Sequence, residues 1–336
     1  MILLKINMKE WLKTAAAQKK PMPILGFPGI QLIDTDVRTL VADGEVQAAC
    51  MKAVAERYNM LASLSLMDLS VEAEAFGAPI RFSDDEVPTV VDAVAGDEEA
   101  AEALVVPSVG EGRTGACIRG IRLAAETISD RPVLAGLIGP FSLAGRLMDM
   151  TEIMVMCYTD PDVVHIVLEK VTSFILAYGA AFKEAGANGV VMAEPAAGLL
   201  SPDLIEEFST PYVKQIVDAL DDDEFTVIYH NCGNTIPLID SILSIGAKVL
   251  HFGDAINMEE MLAHIPKDVI VMGNISPAMV FRNGNPDTMK AEVTALLKKC
   301  AHYPNFILSS GCDIPPVTPL ENIDAFFSAA REFYNE

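Results

Sequence analysis

The chain has 336 residues, 51% of them hydrophobic, and a formal net charge of −23 at pH 7. Such length and apolar content can build a large core without staples. The charge, with no basic stripe anywhere, excludes the electrostatic footprint of a nucleic-acid binder.

In chain order, the opening Met1, Ile2, Leu3, Leu4 is cut by Lys5 and Lys9 before a signal-length run forms, and no later stretch reads as a membrane span. No membrane partner is expected. The six cysteines, Cys50, Cys117, Cys157, Cys232, Cys300 and Cys312, lack the paired spacing of a disulfide framework, which fits a reducing cytoplasm.

Short apolar runs at 22–27, 60–67, 133–138, 189–193, 226–229, 249–252, 269–272 and 306–308 read as strands, separated by stretches of helical period. The segment 160–185 repeats apolar residues at three and four, and 202–220 follows Ser201 as a cap. Eight strands alternating with helices predict an α/β fold, a (β/α)8 TIM barrel formed by residues 1–336 as a single domain. The long insertion 77–130, between strands 2 and 3, includes Gly110, Glu111, Gly112 and Arg113 and is expected to be irregular and to cover the barrel mouth. A doubly wound sheet alternates in the same way, but Gly26, Phe27, Pro28, Gly29 after the first strand is not a dinucleotide loop, and no Walker pattern occurs.

On this reading the strand ends carry Asp68, Gly139, Glu194, His230, Gly253 with Asp254, Asn274 and Cys312, on the face where barrel active sites form. His230, Asn231, Cys232, Gly233 and the distant Cys312 supply one imidazole and two thiols, a donor set that zinc selects, and three ligands leave a fourth position for chemistry. Glu194 is either a fourth zinc ligand or a carboxylate bonded to strand-end amides. Asp68 either orients a substrate or caps the helix near Ser70, and Asn274 either meets a ligand or shapes the turn before Ser276 and Pro277. His165, His264 and His302 read as surface residues, and His251 as core packing.

Several segments in order resemble the uroporphyrinogen decarboxylase superfamily, specifically its cobamide-dependent methyltransferase branch. They are Met67 to Gly77, Gly139 to Ala144, Glu194 to Pro202 with Pro211 and Tyr212, His230 to Asn234, Gly273 to Ile275, and Gly311 to Pro315. The decarboxylases carry an arginine-rich stretch after the first strand, whereas Gly26 to Leu32 here contains no arginine before Arg38. The resemblance implies a zinc-dependent methyltransferase with His230, Cys232 and Cys312 as ligands, moving methyl between the cobalt of a corrinoid protein and a thiol such as coenzyme M. The chain has no Asp-x-His-x-x-Gly pattern, so the corrinoid is expected on a separate protein. The alternatives are a metal-free decarboxylase and a non-catalytic metal-binding barrel that docks a corrinoid protein.

Overall fold

A computed structural model describes residues 6–335. The opening run weighed above as a signal therefore lies largely outside the described residues. Seven parallel strands form one curled sheet in chain order: β1 (Ser63–Leu64), β2 (Val133–Ile138), β3 (Gly189–Ala193), β4 (Thr226–Asn231), β5 (Val249–Phe252), β6 (Ile270–Ile275) and β7 (Phe306–Ser310). Helices lie between successive strands, as parallel connections require.

The expected first strand at 22–27 is not one. Pro21 and Pro23 lack the N–H groups that a ladder needs. The segment instead runs extended between the two ends of the sheet. Leu61 N donates to Pro21 O at 3.0 Å on one side, and Met22 N to Leu308 O at 2.9 Å on the other. Ile24 N is received by the Ser310 hydroxyl at 3.0 Å.

Between β1 and β2 the chain forms the helix Val71–Ala75, a small antiparallel pair (Ile80–Arg81 with Thr89–Val90) and the helices Glu98–Ala103 and Thr114–Thr127. The stretch expected to be irregular is therefore a regular helix over its last third. The predicted helix 160–185 is Pro161–Glu184, and by length and composition it could cross a membrane, a run that the sequence reading passes over; over half of its apolar window is buried inside the fold. The predicted helix 202–220 breaks at Ser209 into Pro202–Phe208, capped by Ser201, and Thr210–Leu220. Pro211 explains the break, because it has no N–H for the preceding turn.

Alternation along the strands sorts the core into two. Ala135, Leu137, Val190, Met192, Val227, Tyr229, Leu250, Phe252, Val271 and Leu308 pack outward in the larger cluster with the helices. Leu134, Val191, Ala193, Ile228, Val249, Ile270, Met272 and Ile307 fill the inside of the curl. Two residues beyond Ile228, Val249 and Ile307, on the same face, stand His230, His251 and Ser309. The apolar interior thus ends in a polar layer at the C-terminal edge of the sheet.

Candidate metal centre at the strand ends

His230 is the penultimate residue of β4 and is 1% exposed. Cys232 follows in the next turn, which Asn231 shapes: its amide donates to Glu194 O at 3.0 Å, and its oxygen accepts from Gly233 N at 2.9 Å. Cys312 follows β7. The nitrogen of His230 and the sulfurs of Cys232 and Cys312 lie within 4.8 Å of one another, and Cys312 Sγ is 3.5 Å from His230 Nε2. Glycine permits this closeness. A Cβ on Gly253 would stand 2.5 Å from Cys232 Cα, and one on Gly311 would stand 2.8 Å from Asp254 N.

The two thiols titrate together. The Cys312 thiol pulls Cys232 down to about 4 against the effect of burial, and Cys312 is in return pushed well up. One thiolate thus forms easily and a second only with an added positive charge. Donors on a tetrahedral zinc stand roughly 3.5 Å apart, close to the separation of Cys312 Sγ from His230 Nε2. A borderline nitrogen and two soft sulfurs fit zinc, and all three ligand atoms come from the chain with one position left over.

Glu194 is bonded to backbone amides, at a helix start and not at a strand end. Fully buried after β3, it receives Phe141 N at 2.7 Å and the Ser209 hydroxyl at 3.2 Å on one oxygen, and Ser142 N at 2.8 Å on the other. It caps the positive N-terminus of the helix Pro140–Met148 and is not grouped with the metal donors. Burial raises its pKa, opposed by these bonds.

Asp68 lies after β1 in a closed knot. One oxygen accepts from Ser70 N at 2.9 Å and Ser70 Oγ at 2.6 Å, and the other pairs with Arg113. The Arg113 guanidinium also reaches Glu74 at 2.6 Å and Ser70 Oγ at 2.8 Å. Asn274, after the bend in β6, donates to Gly253 O at 2.9 Å and Ile256 O at 3.0 Å. It ties down the loop that carries Asp254 and lines a cavity of about 550 Å³ with Ser276, Met279 and Lys299. The geometry thus brings His230, Cys232 and Cys312 together and places Asp68, Glu194 and Asn274 as fastenings around them.

Sequence reasoning passed over two side chains. Arg113 reads in the sequence as part of an irregular insertion and as one of several arginines available to a sulfonate, but the fold buries it against Asp68 and Glu74. His251 was read as core packing, yet its Nδ1 lies 2.8 Å from His230 Nδ1. Of the other histidines, His165 bonds Tyr212 OH at 2.7 Å and stacks on Phe208.

The family model for uroporphyrinogen decarboxylase (URO-D) matches residues 29–333. The chain belongs to the uroporphyrinogen decarboxylase family. Within it, the chain is 28% identical over 270 residues to the methylcobamide:CoM methyltransferase MtbA of Methanosarcina acetivorans, covering 79% of this chain and 78% of that protein. It is 26% identical over 294 residues to the uroporphyrinogen decarboxylase of Alcanivorax borkumensis, covering 82% and 80%. A solved methyltransferase from Methanosarcina mazei shares the fold with a TM-score of 0.85 at 24% identity, over 98% of this chain and 99% of that one.

Proposed function

We propose that this family member is a zinc-dependent methyltransferase that moves a methyl group between a corrinoid protein and a small thiol such as coenzyme M. The observation that carries the reading is the His230, Cys232, Cys312 trio, three donors where a tetrahedral zinc takes four, in a chain similar to methylcobamide:CoM methyltransferases. We read the scaffold as a single (β/α)8 barrel in which residues 21–24 take the eighth place.

The chemistry that a zinc ion held by the trio supplies is ionisation of an acceptor thiol near neutral pH. The rest belongs to the chain. Cys232 and Cys312 set the negative charge of the site, and His230 adds a donor nitrogen. Glu194 locks the end of β3 to the helix at Pro140, and Asn231 fixes the turn that carries Cys232. Asn274 holds the loop at Gly253 against the trio. The apolar layer of Ile228, Val249 and Ile307 excludes water from below. Such positioning lets a bound thiol meet a methyl donor in line.

The donor would come from outside. Leu199 after β3, Met279 after β6 and Val317 after β7 are exposed apolar side chains at the same end of the sheet, suited to a docked corrinoid protein. The decarboxylase alternative has weaker support, because Arg38 lies on the surface paired with Asp84 at 2.8 Å. A clamp for a substrate with many carboxylates would need arginines in the mouth.

The test is methyl transfer from a methylated corrinoid protein, or free methylcobalamin, to coenzyme M and homocysteine in parallel. A methyl thioether formed from one thiol, and none with Cys312→Ala, is the expected result. No transfer to either thiol, with carbon dioxide released from uroporphyrinogen, would overturn the proposal in favour of the decarboxylase.

A further inference from the structure

The polar layer inside the curl is a chain of hydrogen bonds with a fixed direction. Register places His230 on β4 directly beside His251 on β5, with Ser309 on β7 completing the layer. The chain ends at Met22 O, a backbone carbonyl that can only accept. Ser309 Oγ is 2.6 Å from it and so donates its single hydrogen there. His251 Nε2 is 2.8 Å from Ser309 Oγ, whose remaining capacity is to accept, so Nε2 carries a hydrogen.

His251 is 1% exposed and bonds no carboxylate, so the neutral ring is favoured and its other nitrogen is a lone pair. His230 Nδ1 approaches that lone pair at 2.8 Å, and two lone pairs cannot share this distance. The hydrogen between the rings therefore belongs to His230. A His230 ring with that single hydrogen has a bare Nε2, which faces Cys312 Sγ at 3.5 Å.

We propose that His251 is a positioning residue that sets His230 in the Nδ1–H tautomer and so presents Nε2 to a metal. A serine and a backbone carbonyl hold His251 in turn, in the place where carboxylates or carbonyls commonly hold metal-binding histidines directly. The inference rests on the trio being a metal site. Its tautomer component, however, is a property of the metal-free protein and is read without any metal.

The experiment has two arms. Nitrogen NMR of metal-free, ¹⁵N-histidine-labelled protein distinguishes the tautomers, and with five histidines in the chain single substitutions assign the signals. His230 is expected to show a protonated Nδ1 and a bare Nε2, and His251 the reverse; a protonated Nε2 on His230 would overturn the proposal.

The second arm measures zinc affinity by chelator competition for the wild type, His251→Phe and His251→Asn. Loss of the acceptor in His251→Phe is expected to weaken zinc binding about 10- to 100-fold. His251→Asn, which keeps an acceptor near the Nδ1 position, should recover most of that loss. Equal affinity in wild type and His251→Phe defeats the role of His251 while leaving the metal site intact. No zinc binding in the wild type defeats the metal reading and, with it, the role given to His251.

Discussion

Two polar clusters occupy the C-terminal rim of the sheet, and they are built on opposite principles. Around Arg113, a cation and the carboxylates of Asp68 and Glu74 meet in a closed set of hydrogen bonds, with Ser70 filling the gap. Around His230, two thiols and an imidazole nitrogen, a donor set that suits a soft metal cation, lie within 4.8 Å of one another. A knot of balanced charges holds structure, whereas three soft and borderline donors gathered at one point suit a metal ion. Charged residues alone would have drawn attention to the wrong cluster.

The sharpest way to break this comparison is to remove one donor from each cluster. Cys232→Ala should abolish stoichiometric metal binding and bring methyl transfer to background, with a melting curve near that of the wild type. Arg113→Met should do the reverse. Breaking a buried ion pair costs about 3–5 kcal/mol, read by denaturant unfolding, while the folded fraction keeps its metal. Metal loss in folded Arg113→Met would merge the two clusters into one site.

Glu72 tests the knot from its edge. One of its oxygens accepts from Ile138 N at 3.1 Å, the other has no partner among the described residues, and burial raises its pKa from 4.5 to about 7. The folded state therefore holds a proton that the unfolded chain releases, and stability should fall as pH rises from about 4.5 to 7. The loss approaches about 3 kcal/mol. Glu72→Gln should flatten that fall and be the more stable protein at pH 8, as paired urea titrations at pH 5 and 8 would show. Glu194→Gln should have the smallest effect, about 1–2 kcal/mol from the lost charge at a helix N-terminus, with unchanged metal content. Loss of metal in that variant would return Glu194 to the ligand set.

Much of this was legible in the chain, and the gaps have physical causes. The strands at 133–138 and 189–193 have the observed bounds because each is an uninterrupted apolar run, and 249–252 keeps its bounds with His251 inside it. The run at 22–27 is equally apolar, but Pro21 and Pro23 cannot donate, and that outweighs its composition. The grouping of His230, Cys232 and Cys312 could be expected from residue type, since few roles suit that set at the ends of β4 and β7. The places of Glu194 and His251 could not. Each depends on a neighbour that only the sheet supplies: the helix start at Pro140 beside β3, and the register that sets β5 against β4.

The central claim is that the trio forms a metal site with a position open to a thiol. Its most direct test is the visible spectrum of the cobalt(II)-substituted protein during titration with coenzyme M. One tightly bound cobalt per chain, with tetrahedral thiolate bands that shift on adding one equivalent of thiol, is the predicted result. A protein that binds no cobalt, or whose bands ignore every thiol offered, would contradict it.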